Sequence, residues 1–454
     1  SYMKFFEKDY LAPRYMAISS VLALLLAFTA VILPTGFSPY ILPIPAFLII
    51  MSIFTTPRVA FVASVVLLSI MSVGFQYNVQ YLVAFILVSL IAVIMINQIK
   101  YANRFDLIKT GFNIGIAGLI IVLSIYILEK CLIDVENILM IKNGAFIFIN
   151  GILSSIIALG SLPLFESTFK IITPYGLAEL GDHNQKLLKR LQMDAPGTYH
   201  HSLMVSNLCE AAAEAIGADP ILARVGALYH DIGKLKRPLF FVENQSYFLI
   251  ENPHNKFTPR ISKMIITAHP KDGIEIAKEY GLPPVIQNFI LQHHGEGLAS
   301  YFYNQAVKEE GLENVKEEQF RYTGPKPNTK ETAILMIADA VESAVRSLKN
   351  PTPEEIEAMI DKIIVERLND AQLSDSPLTL KDIKTIASTF SRILRGMQHN
   401  RIKYQENLAE ELQKAKINMP AKLLDEDLEN KIKQLEGEKA PKEEPSDEDK
   451  NDSQ

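Results

Sequence analysis

"GALYHDIGKLKRP", residues 226–238, sets His230 directly before Asp231 and follows with Gly233-Lys234. Alone, a His-Asp step is an ordinary polar edge on a helix. It gains meaning only if the rest of the chain supplies partners. Successive helical residues diverge by about 100°, so His230 and Asp231 would face two sides of one pocket. The chain has nine histidines, and six stand at 200, 201, 230, 269, 293 and 294. Taken singly, each reads as a satisfied core or surface residue. Taken together they read as a donor set. His293-His294 precede Gly295 at a helix end, where both rings can turn inward. In "ILMIADAVES", Asp339 sits on an otherwise apolar helix face. A carboxylate there is costly unless it is paired or metal-bound. Asp272 in "HPKDG" reads as a turn or cap for the helix that follows. An all-nitrogen-and-oxygen set of about five His and two Asp suits two borderline divalent metals that share one carboxylate.

The bulk numbers frame this pocket. A chain of 454 residues has room for two or three domains. A formal charge of −6 argues against a nucleic acid polymer as partner. Two cysteines, Cys131 and Cys209, exclude a disulfide framework and a thiolate-rich metal site. Mean hydropathy is +0.13 although 21% of residues are charged. That combination signals a greasy part and a polar part. Residues 14–166 are almost continuously apolar, with stretches at 15–34, 38–55, 58–76, 79–98, 105–128 and 144–165. Each approaches the ~20 residues that cross a bilayer, and Pro43 and Pro45 interrupt the second.

Basic residues mark alternate loops: Lys4, Lys8 and Arg14, then Arg58, then Lys100, Arg104 and Lys109, then Lys170. This bias predicts six spans with both termini cytoplasmic. The first basic cluster resembles the start of a signal peptide, but no small-residue cleavage site follows cleanly. No span carries a run of ionisable groups, so the bundle reads as an anchor or sensor and not a conduit.

From residue 167 onward the pattern is helical and amphipathic. Pro220 opens one helix, and Gly217, Gly233, Gly281 and Gly295 are read as stops. "TPEEIE" carries a Thr-x-x-Glu capping box. The last stretch, "GEKAPKEEPSDEDKNDSQ", lacks apolar anchors and should be disordered. The expected fold class is all-α: a polytopic transmembrane helix bundle followed by a cytoplasmic all-helical domain.

"YHHS", "HDIGK", "HPKDG", "QHHGEG" and "IADAVES", in this order, resemble the HD-domain metal-dependent phosphohydrolases. The longer strings around "DAPGTYHHS", "FFVENQ" and "TGPKPNTKETAILMIADAVES" resemble the membrane-anchored 7TM-HD family, over roughly residues 15–400. Its characterised members are cyclic-di-AMP phosphodiesterases of the PgpH type.

The resemblance implies metal ligands at His201, His230, Asp231, His269, His293, His294 and Asp339. It implies that Asp231 bridges, that His201, His230 and Asp339 hold one metal, and that His269, His293 and His294 hold the other. His200 would be a neighbour and not a ligand. Lys234 would neutralise a substrate phosphate and act with Asp231 in catalysis. Iron and manganese both fit the set, and zinc fits it as well.

The implied domains are an N-terminal segment over 1–14, a six-helix bundle over 15–166, a coupling linker over 167–195, an HD domain over 196–400, and a helical extension with a charged tail over 401–454. The implied partners are cyclic-di-AMP and the bilayer of a bacterial plasma membrane, with association of copies as a homo-oligomer compatible with both. Two departures stand out. The family has Thr after "HHG" where this chain has Glu296, a candidate substrate contact. The family also carries an extracellular sensor upstream of the bundle, and no loop here is long enough to hold one. The expectation is a shortened chain or a sensor-less branch. The competing readings are an HD hydrolase for cyclic-di-GMP or another nucleotide, and a non-catalytic nucleotide-sensing receptor. A cyclic-di-GMP enzyme of the HD-GYP type should show Gly-Tyr-Pro after its His pair, and the text here runs "HHGEGLASYFY".

Overall fold

A computed structural model describes residue 10 and residues 12–32, 37–72, 79–99, 104–130 and 137–396. The expectations for most of the N-terminal segment, for the 401–454 extension and tail, and for Cys131 lie outside these residues. The described residues up to Ser391 form one compact unit, and Arg392 begins a second. Among them there is no strand, only an antiparallel bridge between Leu298 and Arg321. The fold is all-α.

Each of the six apolar stretches contains a helix among its described residues. Helices α1 (Pro13–Ile32), α4 (Val79–Ile96), α5 (Arg104–Lys130) and α6 (Asn137–Phe169) are long and apolar enough to cross a membrane. The stretch from Pro39 to Phe54 and helix α3 (Pro57–Met71) are shorter. Pro43 and Pro45 explain the second stretch. They remove backbone donors, so a 3-10 turn (Pro39–Ile41) leads into a short helix, α2 (Ile44–Phe54). Every residue of α2 is buried. The carbonyls freed ahead of it are met by Asn150 of α6, whose Nδ2 donates to Tyr40 O at 2.8 Å and Leu42 O at 2.7 Å. Broken helix is tolerated at membrane depth only where such partners exist. By contrast, α1 buries only Ile18, Leu22 and Leu26, one stripe along its length.

Helices α5 and α6 meet along a glycine seam. A Cβ built on Gly151 would lie 2.5 Å from Gly115 N and 2.6 Å from Gly111 O. Small residues let helix backbones approach closely where lipid offers no hydrophobic drive to associate.

The soluble half follows as α7 (Pro174–Leu180), α8 (Lys186–Asp194), α9 (Pro196–Ala215), α10 (Pro220–Tyr229), α11 (Val242–Phe248), α12 (Pro259–Thr267), α13 (His269–Glu279), α14 (Pro284–Gln292), α15 (Ser300–Glu310), α16 (Lys330–Ser347) and α17 (Pro353–Asn369). Its core gathers Leu188, Leu191, Leu228, Ile232, Ile286 and Ile290. Gly217, Gly281 and Gly295 have positive φ, as helix stops require. Both bonds of the Thr352 capping box form. One boundary differs from the sequence reading: α10 ends at Tyr229, and Ile232–Lys236 forms a 3-10 turn, so Gly233 lies inside that turn and not at the helix stop. The early end frees carbonyls in the last turn of α10, and the site uses one of them.

The two halves are tied at their junction. Glu166 of α6 accepts from the backbone N–H of Thr173 at 2.8 Å, Arg104 pairs with Glu179, and the Tyr229 hydroxyl donates to Leu180 O at 2.8 Å. The seam gives a prediction. Gly151→Val forces backbone against backbone, and should lower stability by about 1–3 kcal/mol, the usual range for overpacking. Gly160→Val, whose Cβ would meet nothing within 4 Å, is the control. Thermal unfolding of the detergent-solubilised protein reads both, and equal midpoints for the two variants would show that the seam is not tight.

Candidate metal centre

Three helix ends and two helix interiors converge. His230 caps the C-terminus of α10, and Asp231 follows it. His269 opens α13, and His293 caps α14 with His294 beside it. His201 sits inside α9 and Asp339 inside α16. His201, His230, Asp231, His269 and His293 are almost fully buried, and Asp339 nearly so. The donor atoms gather into three overlapping sets: His201, His230 and Asp339; His269, His293 and His294; and His230, Asp231 and His293. Within each set they lie no more than 4.8 Å apart.

Asp231 stands between the first two sets. Its Oδ2 lies 3.1 Å from His230 Nε2 and 3.6 Å from His201 Nε2. Its Oδ1 lies 3.3 Å from His269 Nε2 and 3.6 Å from His293 Nε2. One carboxylate oxygen therefore faces each histidine group. Asp339 also reaches both, with Oδ1 3.0 Å from His201 Nε2 and Oδ2 3.7 Å from His294 Nδ1. No Lys or Arg pairs with Asp339 among the described residues.

The protons of the rings can be placed. The Nδ1 atoms of His230, His269 and His293 lie 2.6, 2.7 and 2.8 Å from the carbonyl oxygens of Ala227, Ile266 and Ile290. A carbonyl only accepts, so each Nδ1 carries the proton and each Nε2 presents a lone pair. His269 Nε2 and His293 Nε2 then face each other at 3.0 Å with no hydrogen between them, and Asp231 Oδ1 adds a third acceptor. Burial, helped by the neighbouring rings, holds the His293 pKa down at about 3 and lowers that of His269, so a proton does not resolve the crowding. His230 Nε2 and both Asp231 oxygens are buried without a directed hydrogen bond. Burial opposes ionisation of Asp231, and the Lys234 ammonium beside it offsets that and holds its pKa below the usual carboxylate range. Inward-facing lone pairs around a carboxylate are the donor set of a cation site, and a divalent metal fits it.

The remaining sequence candidates fall around this centre. Lys234 Nζ lies 2.7 Å from Asp231 Oδ2 and 2.8 Å from Glu243 Oε1. Its ammonium stands between two carboxylates. Glu296 is more than half exposed, with its carboxylate 3.8 Å from Lys326 Nζ and its carbonyl accepting from Arg321 at 2.9 Å. His200 points outward. Asp272 is buried and pairs with Lys236 at 3.1 Å and Arg237 at 2.7 Å.

Sequence reasoning missed three residues. Glu243 holds Lys234 and accepts from the Thr198 hydroxyl at 3.1 Å. Tyr322 packs over His294 with ring centroids 4.3 Å apart. Glu342 accepts from His201 Nδ1. Glu342 was findable, since it stands three residues after Asp339 and so on the same helix face.

The profile described as a 7TM receptor with intracellular HD hydrolase matches residues 1–173, and the HD domain profile matches residues 198–344. The chain belongs to this 7TM-HD family. It is a membrane protein with an HD domain, and HD domains are metal-dependent. The cyclic-di-AMP phosphodiesterase PgpH of Bacillus subtilis is 40% identical over 372 residues, covering 81% of this chain and 51% of that protein. Its namesake in Listeria monocytogenes is 43% identical over 316 residues, covering 69% of this chain and 43% of that protein. The chain thus spans about half the length of these relatives. A crystal structure of the L. monocytogenes PgpH HD domain with cyclic-di-AMP is 50% identical, covering 48% of this chain and 99% of that one, with a TM-score of 0.46.

In this 7TM-HD chain the turn after Asp231 is packed against the backbone that carries His269. A Cβ on Gly233 would lie 1.9 Å from His269 O and 2.6 Å from Gly273 N. Gly233→Ala must push α13 away, at ~3 kcal/mol, the upper end of overpacking. The expected result is a lower unfolding midpoint together with loss of bound metal. A variant with wild-type midpoint and metal content would contradict this packing.

Proposed function

We propose that this chain hydrolyses cyclic-di-AMP to the linear dinucleotide 5′-pApA, using two divalent metal ions, iron or manganese. His201, His230 and Asp339 hold one ion, His269, His293 and His294 hold the other, and Asp231 spans both. The observation that carries this reading is the placement of the two Asp231 oxygens, one toward each histidine group. The names of the relatives support the substrate.

When bound, divalent ions supply Lewis acidity to a phosphoryl group and bring the acidity of water toward neutral pH. The reaction adds water across one phosphodiester: the hydroxyl goes to phosphorus, the P–O3′ bond breaks, and the proton ends on the ribose 3′ oxygen. The residues of the chain make the pocket for it. Asp231 and Asp339 fix the distance between the two donor groups. Lys234 balances the charge of Asp231 and Glu243, which leaves the pocket less negative toward an incoming phosphate. Glu296 and Lys326 stand at the rim, where they would meet the nucleotide outside the metal pocket.

The bundle anchors the enzyme in a bacterial plasma membrane, with the HD module over about 196–400 on the cytoplasmic side. The basic residues at alternate loops support this orientation. Assembly as a homo-oligomer is compatible with this arrangement.

Substrate choice tests the reading. Adenine and guanine differ in their hydrogen-bonding edges, and a buried polar group left unpaired costs about 1–3 kcal/mol. Two bases per substrate make a preference of about a hundredfold or more. Purified protein with Mn²⁺ or Fe²⁺ should convert cyclic-di-AMP to pApA, leave cyclic-di-GMP largely intact, and lose activity in Asp231→Ala. Equal rates on both dinucleotides, or turnover by Asp231→Ala, would refute it.

A further inference from the structure

The four buried histidines of the centre are not held alike. His230, His269 and His293 each give their Nδ1 proton to a carbonyl three residues back, in the last turn of α10, α12 or α14. Those carbonyls lack their usual helical donor four residues on, because each lies at a helix end, although Ile266 O also accepts the N–H of Ala268. His201 has no such acceptor. It lies inside α9, where the carbonyls of the preceding turn are taken by the helix. Its Nδ1 goes across to the buried Glu342 of α16, at 2.5 Å. Arg346, one turn further along, also holds Glu342, at 3.2 Å from Oε2 and 3.3 Å from Oε1.

We infer that Glu342 is a positioning residue for the first metal site: it fixes the tautomer and aim of His201 and strengthens it as a donor, a role filled for His269 and His293 by backbone carbonyls. A carboxylate accepts more strongly than a carbonyl because it is charged, and it raises the basicity of the ligand it holds. Asp339 and Glu342 then act as a pair on one face of α16. Asp339 faces His201 Nε2 and Glu342 faces His201 Nδ1. The two metal positions are inequivalent as a result, with the His201 side dependent on a side chain that substitution can remove. This rests on the metal-binding reading above.

The test uses the full detergent-solubilised chain, stripped by chelator and titrated with Mn²⁺ alone, with affinities taken from chelator competition. Wild type should take up two equivalents. In Glu342→Ala one equivalent should weaken by about 10–100-fold, the range for such outer partners, while the other stays unchanged. Glu342→Gln keeps an acceptor oxygen without the charge and should restore most of the loss. If the Ala variant does not fold, the same single equivalent should weaken a few-fold in the Gln variant. Two unchanged equivalents in the variants, or equal weakening of both, would overturn the role of Glu342. Wild type that takes up no Mn²⁺ would overturn the metal-binding reading itself, and this inference with it.

Discussion

Asp231 is a buried carboxylate whose two oxygens point into two different groups of imidazoles. Much of the soluble half can be understood as what that placement requires. A charge buried so deeply is expensive unless something offsets it. Lys234 offers one positive charge from the following turn. His230, His269 and His293 offer none, because their protons are turned away toward backbone carbonyls. The balance is left to cations between the donors.

The helices place these groups by where they stop. A histidine at a helix end finds a backbone carbonyl three residues back and so presents Nε2 inward. That device recurs at α10, α12 and α14. The ends themselves have local causes. Gly295 with positive φ follows His294, and the His230-Asp231 step breaks α10 before the 3-10 turn. The same end of α10 meets the membrane-proximal segment, where Tyr229 reaches Leu180 O.

Much of this was legible in the sequence. The apolar runs gave the helical bundle because a 20-residue apolar stretch has few other uses. The histidine motifs named the residues that converge, because His and Asp on apolar faces need partners. What was hidden depended on three-dimensional approach. Pro43 and Pro45 signalled a break, but not that Asn150, more than a hundred residues later, satisfies it. Gly233 read as a helix stop, whereas its role is to let α13 come close. Glu243 carries no spacing that tells burial from exposure, and the only signal for Glu342 is its place three residues after Asp339. Lys234 was read toward a substrate phosphate, and its nearest groups are Asp231 and Glu243.

The central claim is that one carboxylate joins two metal positions. Anomalous diffraction from crystals of the metal-loaded protein, collected on both sides of the manganese or iron edge, measures this directly. The account predicts two anomalous peaks, one between His201, His230 and Asp339 and one between His269, His293 and His294, with Asp231 touching both. A single peak, or two peaks of which Asp231 touches only one, would contradict it.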